Sequence, residues 1–280
     1  MNAIEITNLT KNYKEFRLDN INLTLPGGCI MGLIGENGAG KTTLIKLLLD
    51  LVSRDSGSIK ILGKDNKDNF NVTKEDLGIV LDNVGLHDYM KAKHVEKIMS
   101  AAYKNWDSKK FFDLLEKFNV PVKRKFKEMS KGMKMKMGLA IALSQDAKLL
   151  ILDEATSGLD PVVRDDLLDI LMEFTLDENH SVFISSHIVS DLEKICDYIA
   201  FMHKGKIIIC EEKDILKENY CIVQCNEEEL AKIDKNSIIG IKRTSYRTEV
   251  MALKKDLPKG MHTNPIDIEQ LFIFMVKEGK

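Results

Sequence analysis

The sequence predicts an α/β fold, and three observations carry that prediction. A continuous apolar strand, "CIMGLIG", passes through a Gly-rich turn into an amphipathic helix, "KTTLIKLLLDLV". Two further apolar strands, "KLLILDE" and "SVFISSH", are separated by the helical pattern "PVVRDDLLDILMEFTLDE". Short alternating strands precede this α/β run and others follow it, so smaller β elements are expected on either side. At 280 residues, the chain holds one large domain and a small appendage.

The elements follow in order. "AIEITNLTKNY", "FRLDNINLTL" and "SGSIKILG" alternate and are punctuated by Pro26-Gly27-Gly28 and Ser56-Gly57, as in antiparallel hairpins. In the first helix Leu44, Leu47, Leu48 and Leu51 share one face. From about residue 84 to 145 the pattern is mostly helical, as in "HVEKIMSAAY" and "SKKFFDLLEKF", the latter with Ser108 as its cap. Pro161 sits in the first turn of the helix between the two later strands. "IVSDLEKICDYIAFMHKGKIIIC" reads as helix, strand and a turn at Lys204-Gly205. Beyond about residue 215, "CIVQCN", "GIKRT" and "TEVMALK" predict strands. A last helix is expected to start at Asn264-Pro265-Ile266-Asp267 and to turn Ile268, Leu271, Phe272 and Met275 inward. Residues 1–215 are assigned to one domain and 216–280 to a small accessory region.

Composition excludes several classes. With 41 basic and 43 acidic side chains, a net charge of −2 supplies no basic field for nucleic acid. Five cysteines without a CxxC pair are expected to be reduced, partly buried thiols. "MNAIEITNLTKNY" has no signal-like pattern, and no window reaches the roughly 18–20 apolar residues of a membrane span. Any service to a membrane is therefore expected to run through a partner.

The chemistry concentrates in two motifs. "GENGAGKTT" has P-loop spacing between a predicted strand and a predicted helix, which predicts a P-loop NTPase (RecA-like) core. Gly35, Asn37, Gly38, Ala39, Gly40, Lys41, Thr42 and Thr43 are the candidate nucleotide-binding residues along it. Gly38 and Gly40 let successive N–H groups face a phosphate, Lys41 reaches the β- and γ-phosphates, and the Thr42 hydroxyl is placed for Mg2+. "LLILDE" ends a buried strand in paired acids at the sheet edge where α/β folds bind ligands. Asp153 is the candidate for the Mg2+ shell and Glu154 the candidate base for an attacking water. Lys41, Glu154 and His187 form the candidate catalytic set. The last of these follows "VFISS" and reads either as a γ-phosphate contact or as an ordinary strand-end histidine.

A second anion site is suggested by "MSKGMKMKMGLAIAL". There Ser130 stands at an N-cap position, Gly132 bares its amide, and Met133, Met137, Ala140 and Ile141 recur at helical spacing. Which phosphate this helix end serves is not answered by the residues alone.

Taken in order, the P-loop, "MSKGMK", "LLILDEATSGLD" and "ISSH" resemble the nucleotide-binding subunit of an ATP-binding cassette (ABC) transporter over roughly residues 1–215. The resemblance implies an ATPase with an N-terminal antiparallel β subdomain, a helical subdomain at about 84–145 and a small α+β C-terminal extension. It also implies that two cassettes close head to tail, so that Ser130 and Gly132 cradle the γ-phosphate held by a second chain, identical or paralogous. By the same resemblance Asp160 belongs to the D-loop, His187 is the switch histidine, and Tyr13 stacks on adenine; as a residue in a hairpin, Tyr13 also reads as a packing side chain. A separate integral membrane permease is the implied partner, with ATP and Mg2+ as ligands and a peripheral place on the inner face of the cell membrane.

Three departures stand out. Lys131 and Met133 replace a glycine and a glutamine of the common signature, a form similar to stand-alone cassettes of bacterial ABC-2-type exporters. Asp82 aligns with a usual glutamine that approaches Mg2+, or reads as a solvated loop residue if the alignment is off by one, and loops near residues 83–95 are the expected contact with the permease. The tail is allowed by the resemblance but not explained by it; packing against the cassette or dimer support is expected of it ahead of the alternative, a ligand-sensing domain. The rivals are an importer subunit, a nucleotide-sensing regulator, and a soluble cassette acting on ribosomes or DNA. A single P-loop and the lack of heptads or paired CxxC between the motifs disfavour the last.

Overall fold

In the computed structural model, residues 1–67, 74–82, 84–243 and 248–278 are described. Strands β1 (Asn2–Asn12), β2 (Arg17–Pro26), β4 (Ser56–Ile61) and β5 (Lys64–Asp65) form an antiparallel sheet in the order β2-β1-β4-β5. A second sheet is built from β3 (Ile30–Gly35), β6 (Leu77–Val80), β7 (Leu149–Asp153), β8 (Ser181–Ser186), β9 (Tyr198–His203) and β10 (Lys206–Glu212). Its order is β10-β9-β3-β8-β7-β6, parallel except for the closing β9–β10 hairpin at Lys204-Gly205.

The apolar runs of β3, β7 and β8 have a physical reason. Side chains alternate between faces, and each face of this sheet carries its own core. Ile30, Ile34, Leu150, Leu152, Val182 and Ile184 point into one, with the helices. Met31, Leu33, Leu149, Ile151 and Phe183 point into the other, with α1 (Lys41–Leu48) and the first sheet. Fully burying each such side chain is worth about 1.5–3 kcal/mol relative to exposure.

On the first face lie α2 (Ala92–Ala102), α3 (Ser108–Lys117), α4 (Lys131–Ser144), α5 (Pro161–Phe174) and α6 (Val189–Ile195). Sequence expectation fails here in two details. Helix α1 ends at Leu48, so Leu51 does not share its buried face but is 62% exposed. The cap of α3 is Asp107, whose carboxylate accepts from the Lys110 amide at 2.8 Å; Ser108 is the first helical residue and donates instead to Glu96. A carboxylate at the positive end of a helix adds favourable charge to the capping hydrogen bond.

The tail forms a third, antiparallel sheet, β12-β13-β11-β14, from β11 (Tyr220–Cys225), β12 (Ile238–Arg243), β13 (Thr248–Leu253) and β14 (Thr263–Pro265). It carries α7 (Lys213–Asn219), α8 (Glu227–Leu230) and α9 (Ile268–Ile273). The predicted strand "GIKRT" ends on Thr244, outside the described residues, as does Asn83 at the start of the expected permease-contact loops.

Pro265 does not open the last helix but pairs with Cys221 on an edge strand, a position that needs no N–H donor. The helix starts at Ile268, capped by Asp267, which accepts from the Gln270 amide at 2.6 Å. Ile268 and Leu271 are buried as expected. The third buried residue is Phe274, because the chain widens into a π turn at Phe274–Glu278, and Phe272 and Met275 are left half-buried. Leu216, Ile222, Met251, Ile266, Ile268, Leu271 and Phe274 join the helix-side core of the main body, and Phe272 meets Phe201 edge-on at 5.2 Å. The five cysteines are free thiols, and burial pushes each of them up from the ordinary thiol range. Among the described residues no helix is long and apolar enough to cross a membrane.

Candidate nucleotide site

A cleft of about 600 Å³ opens where β3, β7 and β8 end. The turn after β3 is the P-loop, with Gly38 at φ 83° and Gly40 at φ 114°. A Cβ on Gly40 would lie 2.7 Å from both Leu18 Cδ2 and Phe16 Cζ, so the loop needs glycine there for space as well as for its backbone. Helix α1 starts immediately afterwards with no side-chain cap, which leaves its first amides for an anion.

Lys41, only 6% exposed, donates to the Gly35 carbonyl at 2.7 Å and lies 3.1 Å from Glu154 Oε1. A buried ammonium so held is fixed in direction before any phosphate meets it. Asn37, Gly38, Gly40, Thr42 and Thr43 line the same cleft, while Ala39 is buried beneath it.

Asp153 ends β7, is 5% exposed and accepts from Ser185 Oγ at 2.6 Å. The chain then turns sharply at Glu154, a non-glycine residue at φ 53°, a conformation that costs roughly 1–2 kcal/mol. The Glu154 amide donates to the Ser185 carbonyl at 3.1 Å and to its hydroxyl at 3.2 Å, which holds the turn. The strained turn swings the Glu154 carboxylate into the cleft, where Oε2 is 2.6 Å from His187 Nδ1. Behind His187, burial pushes the Asp191 carboxyl up, while Thr156 and Arg164 pull it back.

Thr42 and Asp82 line the cleft with Lys41, and Asp153 ends the strand next to Glu154; the three offer only oxygen donors, the hard set that suits Mg2+. Ser185 occupies one Asp153 oxygen, Oδ1, and leaves Oδ2. The residues present therefore fit the ion, with phosphate and water oxygens completing its shell.

Not every candidate meets in this cleft. Tyr13 is 46% exposed beyond the end of β1, with Lys11 Nζ 5.6 Å from its ring centre. The aromatic that lines the cleft is Phe16, from the same turn. Asp55 binds Lys11 Nζ and the Asn12 amide at 2.8 and 2.7 Å beside that turn, and these hydrogen bonds hold its carboxyl down at about 2. Ser130 is exposed and caps α4 by accepting from the Met133 amide at 3.3 Å. Gly132 packs on Val163, and Asp160 caps α5 through the Val163 amide at 3.1 Å, so the two motif helices start side by side.

Sequence reasoning missed Phe16, Ser185 and the reach of Lys131. Ser185 lay within "ISSH" and was passed over; no local pattern marks the other two.

The family model for ABC transporters matches residues 18–157. The chain is 38% identical over 217 residues to a lantibiotic transport ATP-binding protein, SrtF, of Streptococcus pyogenes, covering 75% of this chain and 91% of that protein. It is 27% identical over 268 residues to the ABC transporter ATP-binding protein YtrB of Bacillus subtilis, covering 91% of each. Among solved structures, a dimeric ATP-binding cassette in a post-hydrolysis state with ADP and Pi matches with a TM-score of 0.67 at 20% identity, over 75% of this chain and 98% of that one.

Proposed function

The chain belongs to the ABC transporter family as an ATP-binding, ATP-hydrolysing subunit, and from that premise we propose that it drives export through a separate membrane permease by ATP-dependent pairing of two cassettes. One observation carries this reading. Lys41 and Glu154 line the chain's own cleft, whereas Ser130, which caps α4, is exposed and does not line it. Each chain therefore offers one half of each of two triphosphate sites, and a second copy or a paralogue supplies the complementary halves. Two anion-binding helix ends facing one γ-phosphate make ATP the link between chains, and hydrolysis removes the link. Thr42, Asp153 and Asp82 would hold Mg2+, which would supply neutralisation of phosphate charge. Lys41 orients the phosphates, Glu154 takes the proton of the attacking water, and His187 holds the Glu154 carboxylate and meets the γ-phosphate. Export is favoured by the signature form and by likeness to a protein named for lantibiotic transport. The working place is the inner face of the membrane, on the permease.

The test is affinity purification of the Glu154→Gln chain from detergent-solubilised membranes with ATP and Mg2+. A co-purifying polytopic membrane protein is expected; ribosomal proteins or DNA in its place would overturn the transport reading.

Phe16, whose ring edge lies against Gly40, takes the face of the base. Stacking on an aromatic is worth about 1–3 kcal/mol, so Phe16→Ala should weaken binding of a fluorescent ATP analogue about 5- to 150-fold. Tyr13→Ala should change it less than about 2-fold on the same scale. A larger loss from Tyr13→Ala would return the role to Tyr13.

A further inference from the structure

Asp82 and Lys131 are two of the departures from the common family pattern, 49 residues apart in sequence, and they meet. Lys131 Nζ donates to Asp82 Oδ1 at 2.9 Å. The loop after β6 is thereby tied to the first residue of α4. Both residues line the nucleotide cleft, and both also line an adjoining groove of about 560 Å³ whose other walls include Leu86, Phe126 and Met135. The ion pair is thus part of the wall between the two cavities. A Cβ on Gly158, in the turn after Glu154, would be 3.4 Å from the same ammonium, so Lys131 also lies over the catalytic turn.

We propose that Lys131 is a positioning residue that holds the Asp82 carboxylate in the cleft wall and yields it to Mg2+ when the metal–nucleotide complex binds. The proposal rests on the reading of this cleft as an ATP site. Its physical basis is competition for one anion. Asp82 is 61% exposed at its side chain and can swing, and a divalent ion with oxygen preference displaces an ammonium from a shared carboxylate. Once released, the Lys131 cation stands in a cleft that holds a polyanion. Because Lys131 follows Ser130 directly, the exchange in one chain's cleft bears on the helix end that serves the other chain's nucleotide.

The signature of this arrangement is a pair of opposed effects. Lys131→Met frees Asp82 for the metal and removes a cation from the phosphates. The Mg2+ concentration for half-maximal binding of a fluorescent, slowly hydrolysed ATP analogue should therefore fall about 2- to 5-fold, as expected for a partly exposed pair, while metal-free binding weakens. Lys131→Arg should behave like wild type. In the Asp82→Asn background Lys131→Met should no longer shift the Mg2+ midpoint, since Lys131 acts through Asp82. Fluorescence anisotropy during Mg2+ titration reads all four proteins, and thermal melting confirms that each is folded. An unchanged midpoint in Lys131→Met, or an equal shift with and without Asp82, overturns this inference alone. No analogue binding by the wild type overturns it together with the ATP reading.

Discussion

Glu154→Gln is expected to lower ATP turnover by about 10²–10⁴-fold while leaving affinity for ATP within a few-fold. The geometry separates the two effects. The Glu154 side chain is held by Lys41 at 3.1 Å on one oxygen and by His187 at 2.6 Å on the other, and its backbone is fixed by Ser185. A glutamine keeps the length of the side chain, its amide oxygen still accepts from Lys41, and its NH2 can face the imidazole. What it cannot do is take a proton from water. The P-loop amides, Lys41 and Thr42, to which triphosphate binding is assigned under the proposed function, are untouched. Steady-state turnover and equilibrium binding of a fluorescent ATP analogue, measured on the same preparation, check both halves. Turnover above about a tenth of wild type would fall short of the general-base range and move the base to another group, with His187 the nearest candidate.

The parts of this site that were legible in the sequence are those fixed by local backbone. The glycines of the P-loop, the apolar strand ending in Asp153-Glu154 and the Ser130 cap each require a residue type at a fixed offset, and the structure has α1 starting at Lys41, β7 ending at Asp153 and α4 capped by Ser130. The buried strands were legible because both faces of the sheet are covered, so no polar residue interrupts them. The failures lie where a choice is settled by side-chain competition or by distant contacts. Asp107 and Ser108 are adjacent residues of similar capping strength, and Asp107 takes the cap while the Ser108 hydroxyl is drawn to Glu96. Pro265 resembles a helix start, since Pro at N1 is common, but strand β11 recruits it to a sheet edge instead. Phe16 and Tyr13 are both plausible aromatics of one hairpin turn. Only the packing of Leu18 and Phe16 on Gly40 brings one of them to the cleft. The Asp82–Lys131 pair spans 49 residues, and no periodicity encodes it.

Ser130→Arg is expected to leave ATP binding intact and to abolish both ATPase activity and ATP-dependent dimerisation. Ser130 contributes nothing to the wall of its own cleft, so a bulky cation there leaves the P-loop free to bind. It does stand at the start of α4, where a second chain's γ-phosphate would arrive, and an arginine side chain fills that space. Two costs must be told apart. Ser130 also caps α4 through the Met133 amide, and loss of a cap costs about 1 kcal/mol, enough to lower the melting temperature by a few degrees without unfolding the chain. Ser130→Asp separates the two. Aspartate is as good a cap as serine, so stability should be kept, yet its negative charge faces the incoming phosphate and repels it. Ser130→Asn keeps the cap without the charge and should retain part of the dimer. Light scattering with ATP in the Glu154→Gln background reads association, and melting without nucleotide reads the cap. A folded, ATP-binding Ser130→Asp chain that still dimerises and turns over like wild type would confine Ser130 to capping, and the triphosphate would then have to be enclosed by one chain alone. The exposed Ser130 at the start of α4 and the exposed Asp160 at the start of α5 argue otherwise, because both caps are open to an approaching molecule.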